Sequence, residues 1–501
     1  LSKKLKEQIK RLNQIGIALT SETHLPTLLE LIVREVRGFT RADAGSLYSI
    51  QRNQLRFEVA QNDTLAANKH KVWEAFRPYP MSLDKASIAG YVAITGSTLN
   101  IPDVYELSGN EEYRFNPAFD ERNRYRTRSM LVVPMRDHEN EIIGVLQLIN
   151  SLDDQGKVTV FERGREDLVA SLASQAAAAI QNARLINAVH EIFAALVRYS
   201  ASAIDARSPH TAGHSRRVAT YSMRLAQAVG QEVEGPLAGV FFSDKELEEL
   251  NYAAWLHDIG KIGVREELLE RVNRLSQPEM ELITTRFEAI KLALARDFQR
   301  QRADGTDDSR SADLGELEQK LQEVDEDLEF IRETNRAKRI SSTDIRRIQE
   351  IRRKKFRNAR GEVRVYLSDE EVHNLSLPTG NLTNEEFQEV QGHVLQTLNI
   401  INKIPFTRDL ERIPMIAAAH HEKLDGSGYP LGLKGADIMI QARILGIADV
   451  YDALTATDRP YRGALPAEEA LEHLIREAEA GKLDSNLVDL FVRKKLYDGV
   501  T

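Results

Sequence analysis

Six histidines between His210 and His421 stand where their side chains could meet. His210 and His214 fall one helical turn apart in SPHTAGHSRRVATYSMRLA. His257 and Asp258 close the apolar run YAAWLHDIGKIGV, with Lys261 just beyond, and His393 sits alone in EEFQEVQGHVLQTLNII. His420 and His421 adjoin in HHEKLDGSGYP, and Asp449 interrupts the apolar face of ARILGIADVYDAL. Singly, a helical histidine is more often a core or surface residue than a ligand. Together, five histidines and two aspartates on separate helices exceed what one ion needs. Adjacent residues on a helix point about 100° apart. A His-Asp or His-His pair can therefore straddle two metals, or put one ligand on an ion and the other in its neighbour's shell. Nitrogen and oxygen donors without thiolate suit iron, manganese or another hard-to-borderline divalent ion. Two such ions a few Å apart are a standard arrangement for phosphoester hydrolysis, because they supply hydroxide near neutral pH and neutralise phosphoryl charge. The turn DGSGYP would then sit at the rim, its glycines allowing close approach or positive φ.

Donors spread so widely along the chain require a protein large enough to bring them together. At 501 residues and 56.6 kDa the chain exceeds one ordinary core, so two or three domains are expected. The 67 basic and 76 acidic side chains give −9, and no extended basic tract points to nucleic acid. The absence of cysteine excludes disulfides, zinc fingers, iron–sulfur clusters and thiol switches. No apolar run approaches the roughly 20 residues of a membrane helix, so a cytoplasmic protein without a membrane partner is the default expectation. The first residue is Leu rather than Met, which leaves room for a missing upstream segment.

The front of the chain carries period-two patterns that the rest lacks. AGSLYSI and QLRFEVAQ read as a hairpin about Arg52–Asn53, and SMLVVPM and IIGVLQLIN flank the polar turn RDHENE. Amphipathic helices precede (LPTLLELIVREVRGF) and follow (REDLVASLASQAAAAI). The expectation is an α+β domain, an antiparallel sheet with flanking helices, over residues 1–185. With SIAGYVAITGSTLNIPDV between the hairpins, the order resembles a GAF domain, a small sensory module. FNPAFDERNRYRTRSMLVVPM is similar to the signature of cyclic-nucleotide-binding GAF domains. That resemblance makes Phe115, Asp120, Glu121 and Thr127 candidate contacts of an unknown small ligand. The spacing from Phe115 to Asp120 is one residue longer than in the family, and a polar loop capping the sheet is the plainer reading.

Residues 166–203 contain almost nothing that would break a helix. Leu168, Leu172, Gln175 and Ala179, then Leu185, Val189, Ile192 and Leu196, follow three- and four-residue steps. A linker helix that forms a coiled-coil dimer stalk is one reading; an ordinary amphipathic helix packed on its own domain is the other.

HDIGK together with HHEKLDGSGYP is the motif pair of HD-GYP proteins, a branch of the HD phosphohydrolases, which the chain resembles over most of residues 204–501. The resemblance implies an all-α helical bundle that hydrolyses cyclic di-GMP to pGpG and often on to GMP. It implies that His214, His257, Asp258 and Asp449 hold one metal, and that Asp258 bridges to a second, completed by His393, His420 and His421. Lys261 would touch a substrate phosphate, and Arg459 and Arg462 of DRPYR the other. Gly428, Tyr429 and Pro430 match the family's named loop. Where some members use a glutamate for a third metal this chain has His210, which could hold a third ion or act on substrate.

A long insertion also sets the chain apart from that family. Leu317, Leu321, Val324, Leu328 and Ile331 step by 4, 3, 4, 3 on an acidic helix, and a basic helix, DIRRIQEIRRKKFRNAR, follows. The simplest expectation is an antiparallel helical hairpin at about 297–360 that a Gly/Ser linker could replace without loss of metal. NRLSQPEMELITTR and GNLTNEEFQEVQGH align without a gap across it, ending in Arg286 and His393. Arginine has no lone pair for a metal, so only the second copy can complete the site.

The sequence thus reads as a GAF-like sensor joined by a long helix to a two-metal cyclic di-GMP phosphodiesterase, a homodimer. A catalytically silent cyclic di-GMP receptor and a hydrolase of a mixed cyclic dinucleotide are the alternatives.

Overall fold

The computed structural model describes residues 3–22, 24–51, 53–67, 79–206, 213–304, 314–456 and 464–500. The chain divides into two compact units, Leu1–Phe193 and Ala194–Thr501.

The first unit opens with helices α1 (Lys3–Ser21) and α2 (Leu25–Thr40). Strands β1 (Ala42–Gln51) and β2 (Gln54–Asn62) then form the hairpin expected about Arg52–Asn53, Gln51 facing Gln54. After β3 (Tyr79–Ser82), α3 (Ile88–Thr95) begins at Ser87, whose hydroxyl accepts from the Gly90 N–H, and ends at Gly96 with φ 68°. Strand β4 (Leu99–Ile101), helix α4 (Ala118–Asn123) and strands β5 (Met130–Arg136), β6 (Ile142–Leu152) and β7 (Val158–Thr159) complete an antiparallel sheet. Its order is β3-β2-β1-β6-β5-β4, with β7 beside β6.

Alternation along β5 shows how one sheet serves two cores. Leu131, Val133 and Met135 are buried with Leu28, Ile32 and Val36 of α2 and with Val169, Leu172 and Ala176 of the helix that follows. Met130 and Val132, on the other face, pack with Ile88 and Val92 of α3. The α+β expectation holds: an antiparallel sheet with helices packed on both faces.

Helix α5 runs unbroken from Glu166 to Asp205, 40 residues, which is about 60 Å. Its first half is committed to the sheet: Leu172 and Ala179 lie in the core and Leu168 packs against it. The seam proposed for that half is ordinary domain packing. Leu185, Val189, Ile192, Leu196 and Tyr199 are instead all more than half exposed.

The described residues of the second unit are helical apart from one small hairpin and the connecting turns. Helices α6 (His214–Val229) and α7 (Asp244–Leu256) lead into a short 3-10 turn, Ile259–Gly263. Next come α8 (Gln277–Asp304), α9 (Leu314–Arg336) and α10 (Ser342–Arg353), strands β8 (Lys355–Arg357) and β9 (Val363–Val365), and α11 (Asp369–Leu375). Helices α12 (Asn384–Gln391), α13 (His393–Ile401), α14 (Ile413–Ala418), α15 (Ile440–Thr455), α16 (Ala467–Glu479) and α17 (Ser485–Arg493) finish the chain.

The insertion is not a lone pair of helices. The acidic α9 packs chiefly along α8 and also touches α10 and α11. Val324, Leu328 and Ile331 of α9 share a core with Ile283, Phe287 and Ile290 of α8, Ile348 and Ile351 of α10, and Val372 and Leu375 of α11. The basic helix is matched by local partners: Arg347 lies 4.3 Å over the Phe330 ring, Arg352 pairs with Asp369, and Lys354 with Asp327 at 2.6 Å. Arg274, 1% exposed, donates to the carbonyls of Thr334, Ala337 and Leu377 and so ties the base of α8 to the end of α9. Among the described residues no helix is long and apolar enough to cross a membrane.

Candidate metal centre

The site is assembled by α6, α7 with its 3-10 turn, α13, α14 and α15, which pack on one another. Two close approaches make this work. A Cβ on Gly260 would lie 2.0 Å from the His393 carbonyl oxygen, so glycine lets the turn after Asp258 lie directly against α13. Thr397 fastens the same contact, donating to the His257 carbonyl (2.9 Å) and accepting from the Gly260 N–H (3.0 Å). At Gly428 a Cβ would lie 2.3 Å from Lys423 N and 2.5 Å from Glu422 Cα. The glycine of the GYP loop is therefore needed for approach to its own chain, not for positive φ.

Two groups of donors result: His214, His257 and Asp258, and His393, His420 and His421, with the donor atoms in each group within 4.8 Å of one another. The Nε2 atoms of His214 and His257 face each other at 3.3 Å, each 3.3 Å from Asp258 Oδ2. The other carboxylate oxygen of Asp258, Oδ1, lies 3.3 Å from His393 Nε2. Asp449 also spans the groups, Oδ1 being 3.4 Å from His214 Nε2 and Oδ2 3.7 Å from His421 Nδ1. Lys261 reaches back to Asp258 Oδ2. The Tyr429 ring lies 4.8 Å from the His421 ring, so the GYP loop forms a wall on the second group.

Two buried nitrogens, His393 Nε2 and His420 Nε2, have no hydrogen-bond partner. Buried polar atoms are seldom left so. Both rings give their Nδ1 to the carbonyl three residues earlier (Val390 and Ala417, each 2.5 Å), which turns a lone pair at Nε2 inward. These residues fit divalent ions.

Electrostatics separate the groups. Burial disfavours a charged His257, but Asp258 and Asp449 outweigh it and raise its pKa to about 9. The same carboxylates, with Asp452, hold His214 well above the usual imidazole range against its burial. Burial resists ionisation of Asp258, yet Lys261 and His257 keep its pKa well below the carboxylate range. In the other group burial dominates: His421 falls to about 4, and His420 lies well below its ordinary value, helped by the neighbouring His421. Neighbouring carboxylates thus favour charge on His214 and His257, whereas burial disfavours it on His420 and His421.

His210, Arg459 and Arg462 lie outside the described residues. In the GAF unit, Phe115, Asp120 and Thr127 line a cavity of about 240 Å³, whereas Glu121 does not. Asp120 is already satisfied, accepting from the Thr127 N–H (2.7 Å), the Thr127 hydroxyl (2.8 Å) and the Tyr105 hydroxyl (2.9 Å). Its role in the fold is to tie the loop.

Sequence reading missed two buried carboxylates. Glu422, 6% exposed, accepts from the Leu431 N–H (2.7 Å) and the Leu433 N–H (2.9 Å), clamping the GYP loop from its own motif. Asp452, 1% exposed, stands behind His214. Its only signal was its place one turn after Asp449 on the same helical face.

Family models match the chain as a GAF domain over residues 24–180 and as an HD domain over residues 211–340 and 368–487. The chain is 46% identical over 92 residues to 3'3'-cGAMP-specific phosphodiesterase 3 of Vibrio cholerae, covering 18% of this chain and 19% of that one. It is 51% identical over 77 residues to phosphodiesterase 1 of the same specificity and organism, covering 15% and 18%. A cyclic di-GMP phosphodiesterase of Thermotoga maritima is 38% identical over 118 residues, covering 23% and 31%. The chain spans less than a third of the length of these relatives. It is a GAF- and HD-domain protein carrying the HD-GYP motif pair, and the relatives named above are phosphodiesterases.

Proposed function

We propose that the chain is a metal-dependent phosphodiesterase that hydrolyses cyclic di-GMP to pGpG or GMP under the control of its GAF unit. The observation that carries this reading is Asp258, whose two oxygens face separate histidine groups at 3.3 Å. His214, His257, Asp258 and Asp449 would hold one ion and His393, His420 and His421 the other, with Asp258 between them. Iron or manganese suits this donor set. Such ions supply charge neutralisation and an activated water for attack on a phosphodiester. The chain's own groups do the rest. Lys261 carries a positive charge to the mouth beside Asp258, where a non-bridging phosphate oxygen can be met. Tyr429, half-buried against His421, closes one side and limits water. A full set of seven donors argues against a silent receptor, which has no need of them.

The names of the relatives divide between cyclic di-GMP and 3'3'-cGAMP, so the mixed cyclic dinucleotide is the competing substrate. Metal-loaded protein incubated with each, with products separated by chromatography, is expected to convert cyclic di-GMP faster. Conversion of the mixed dinucleotide alone would reassign the substrate, and conversion of neither would leave the receptor.

The second half of α5 supports a dimer. Leu185, Val189, Ile192, Leu196 and Tyr199 step by 4, 3, 4, 3 and are exposed, a spacing that would suit the seam of a parallel two-stranded coiled coil. The chain has no cysteine, so Val189→Cys introduces a single thiol. Mild oxidation is expected to cross-link most of that variant into a covalent dimer, while Glu191→Cys, off the seam, stays largely monomeric on a denaturing gel. Equal yields from both would remove the seam. The GAF cavity would take a small ligand whose binding sets the activity.

A further inference from the structure

His257, His393 and His420 are oriented in one way. Each gives Nδ1 to the backbone carbonyl three residues earlier, at Ala254 (2.8 Å), Val390 (2.5 Å) and Ala417 (2.5 Å), which leaves Nε2 facing the site. His214, the first residue of α6 after Gly213 at φ 72°, is held differently. Its Nδ1 instead meets Asp452 Oδ2 at 2.8 Å, from a residue 238 positions along the chain. Asp452 lies one turn after Asp449 on α15, so one carboxylate of this pair faces Nε2 of the ring and the other faces Nδ1. Arg217, one turn after His214, grips Asp452 from behind, donating Nε to Oδ1 (2.7 Å) and Nη2 to Oδ2 (3.1 Å).

We propose that Asp452, held in place by Arg217, is the positioning residue that keeps the His214 proton on Nδ1 and so reserves the Nε2 lone pair for a divalent ion. The inference rests on the metal-dependent reading of the site. It makes Asp452 part of the centre without touching ion or substrate, and it explains a fully buried carboxylate that the ligand set does not use. A hydrogen-bonded carboxylate behind a histidine fixes both ring orientation and tautomer.

Asparagine tests this because it keeps the shape but loses one acceptor. Both Asp452 oxygens accept from Arg217, and the amide cannot do so. With its NH2 at the Oδ2 position it would donate to His214 Nδ1 and move the ring proton to Nε2. With its NH2 at the Oδ1 position it would meet the Arg217 Nε–H, donor against donor.

The test uses the full chain stripped of metal, titrated with Mn²⁺ by calorimetry, with its thermal midpoint measured before addition. Asp452→Asn is expected to weaken one of the two binding events by about 10- to 100-fold and to leave the other within about twofold, with the metal-free midpoint lowered by loss of the buried charge pair with Arg217. Arg217→Lys, which keeps the charge but loses the fork, is expected to fall between. Wild-type affinity for both ions in Asp452→Asn would overturn the inference alone. Equal loss of both would overturn it in favour of a structural role. A wild-type chain that binds no Mn²⁺, and contains no other divalent ion as purified, would overturn the metal reading and this inference with it.

Discussion

Asp258→Ala is expected to abolish turnover and to leave the purified chain with neither ion. Its two oxygens are the shortest connection between the donor groups: Oδ2 is 3.3 Å from both His214 and His257, and Oδ1 is 3.3 Å from His393. The several kcal/mol of transition-state stabilisation that metal ions supply correspond to about a thousandfold or more in rate. Metal content by mass spectrometry and single-turnover hydrolysis measure both effects. Asp258→Asn, of the same shape, separates loss of charge from loss of packing and should behave alike. Two ions per chain in either variant would show that Asp258 does not bridge. Lys261→Ala should contrast with both, keeping its ions while turnover falls, because an ammonium contributes charge but no lone pair. An unchanged rate there would take Lys261 out of the site.

Excising the insertion should give opposite results at two sets of boundaries. Removing 297–360 takes Val324, Leu328, Ile331, Ile348 and Ile351 away from Ile283, Phe287 and Ile290, which remain behind. Each such side chain gains roughly 1.5–3 kcal/mol from burial, so the loss runs to about 10 kcal/mol, comparable to the whole stability of a domain. Aggregation is expected. Removing 274–379 instead takes the entire core from Leu275 to Leu375 together with Arg274. The ends left behind are adjacent, since the Asn381 side chain donates to the Arg271 carbonyl at 2.5 Å. A short Gly/Ser linker from Asn273 to Gly380 should therefore leave a folded chain that still binds its ions, as judged by sedimentation and metal content. A soluble 274–379 deletion without either ion would mean that the insertion builds the site. A soluble, metal-replete 297–360 deletion would mean that the apolar core does not bind the insertion together.

The quasi-repeat shows how far such readings reach. Ser276 with Glu279 and Thr383 with Glu386 both form the expected reciprocal caps. The last position in each copy parts company as its chemistry requires: Arg286 makes a two-pronged pair with Glu371 at 2.7 and 2.9 Å, and His393 turns to the donor site. A cap is a contact over three residues, so sequence suffices to find it. The partner Glu371 lies 85 positions away and could not be found from spacing.

By itself the sequence determined the main elements and singled out the candidate donors. Alternation specified the half-buried β2, while β1, β5 and β6 were legible as short apolar runs beside polar turns. Seven nitrogen- and oxygen-bearing residues were identifiable as candidate donors because so many in and beside apolar segments call for a common role. Only the tertiary structure decided which atoms face which. It set Asp258 and Asp449 each between two groups, and it left Nε2 of His393 and His420 without a hydrogen bond. It placed Asp452 and Glu422 behind ligand and loop, drew α8 into the insertion's core, and divided α5 into a packed half and an exposed half. The reason is physical. Helical periodicity names the face of a residue, but a buried carboxylate's partner and an apolar face's neighbour are fixed by packing between segments far apart in the chain.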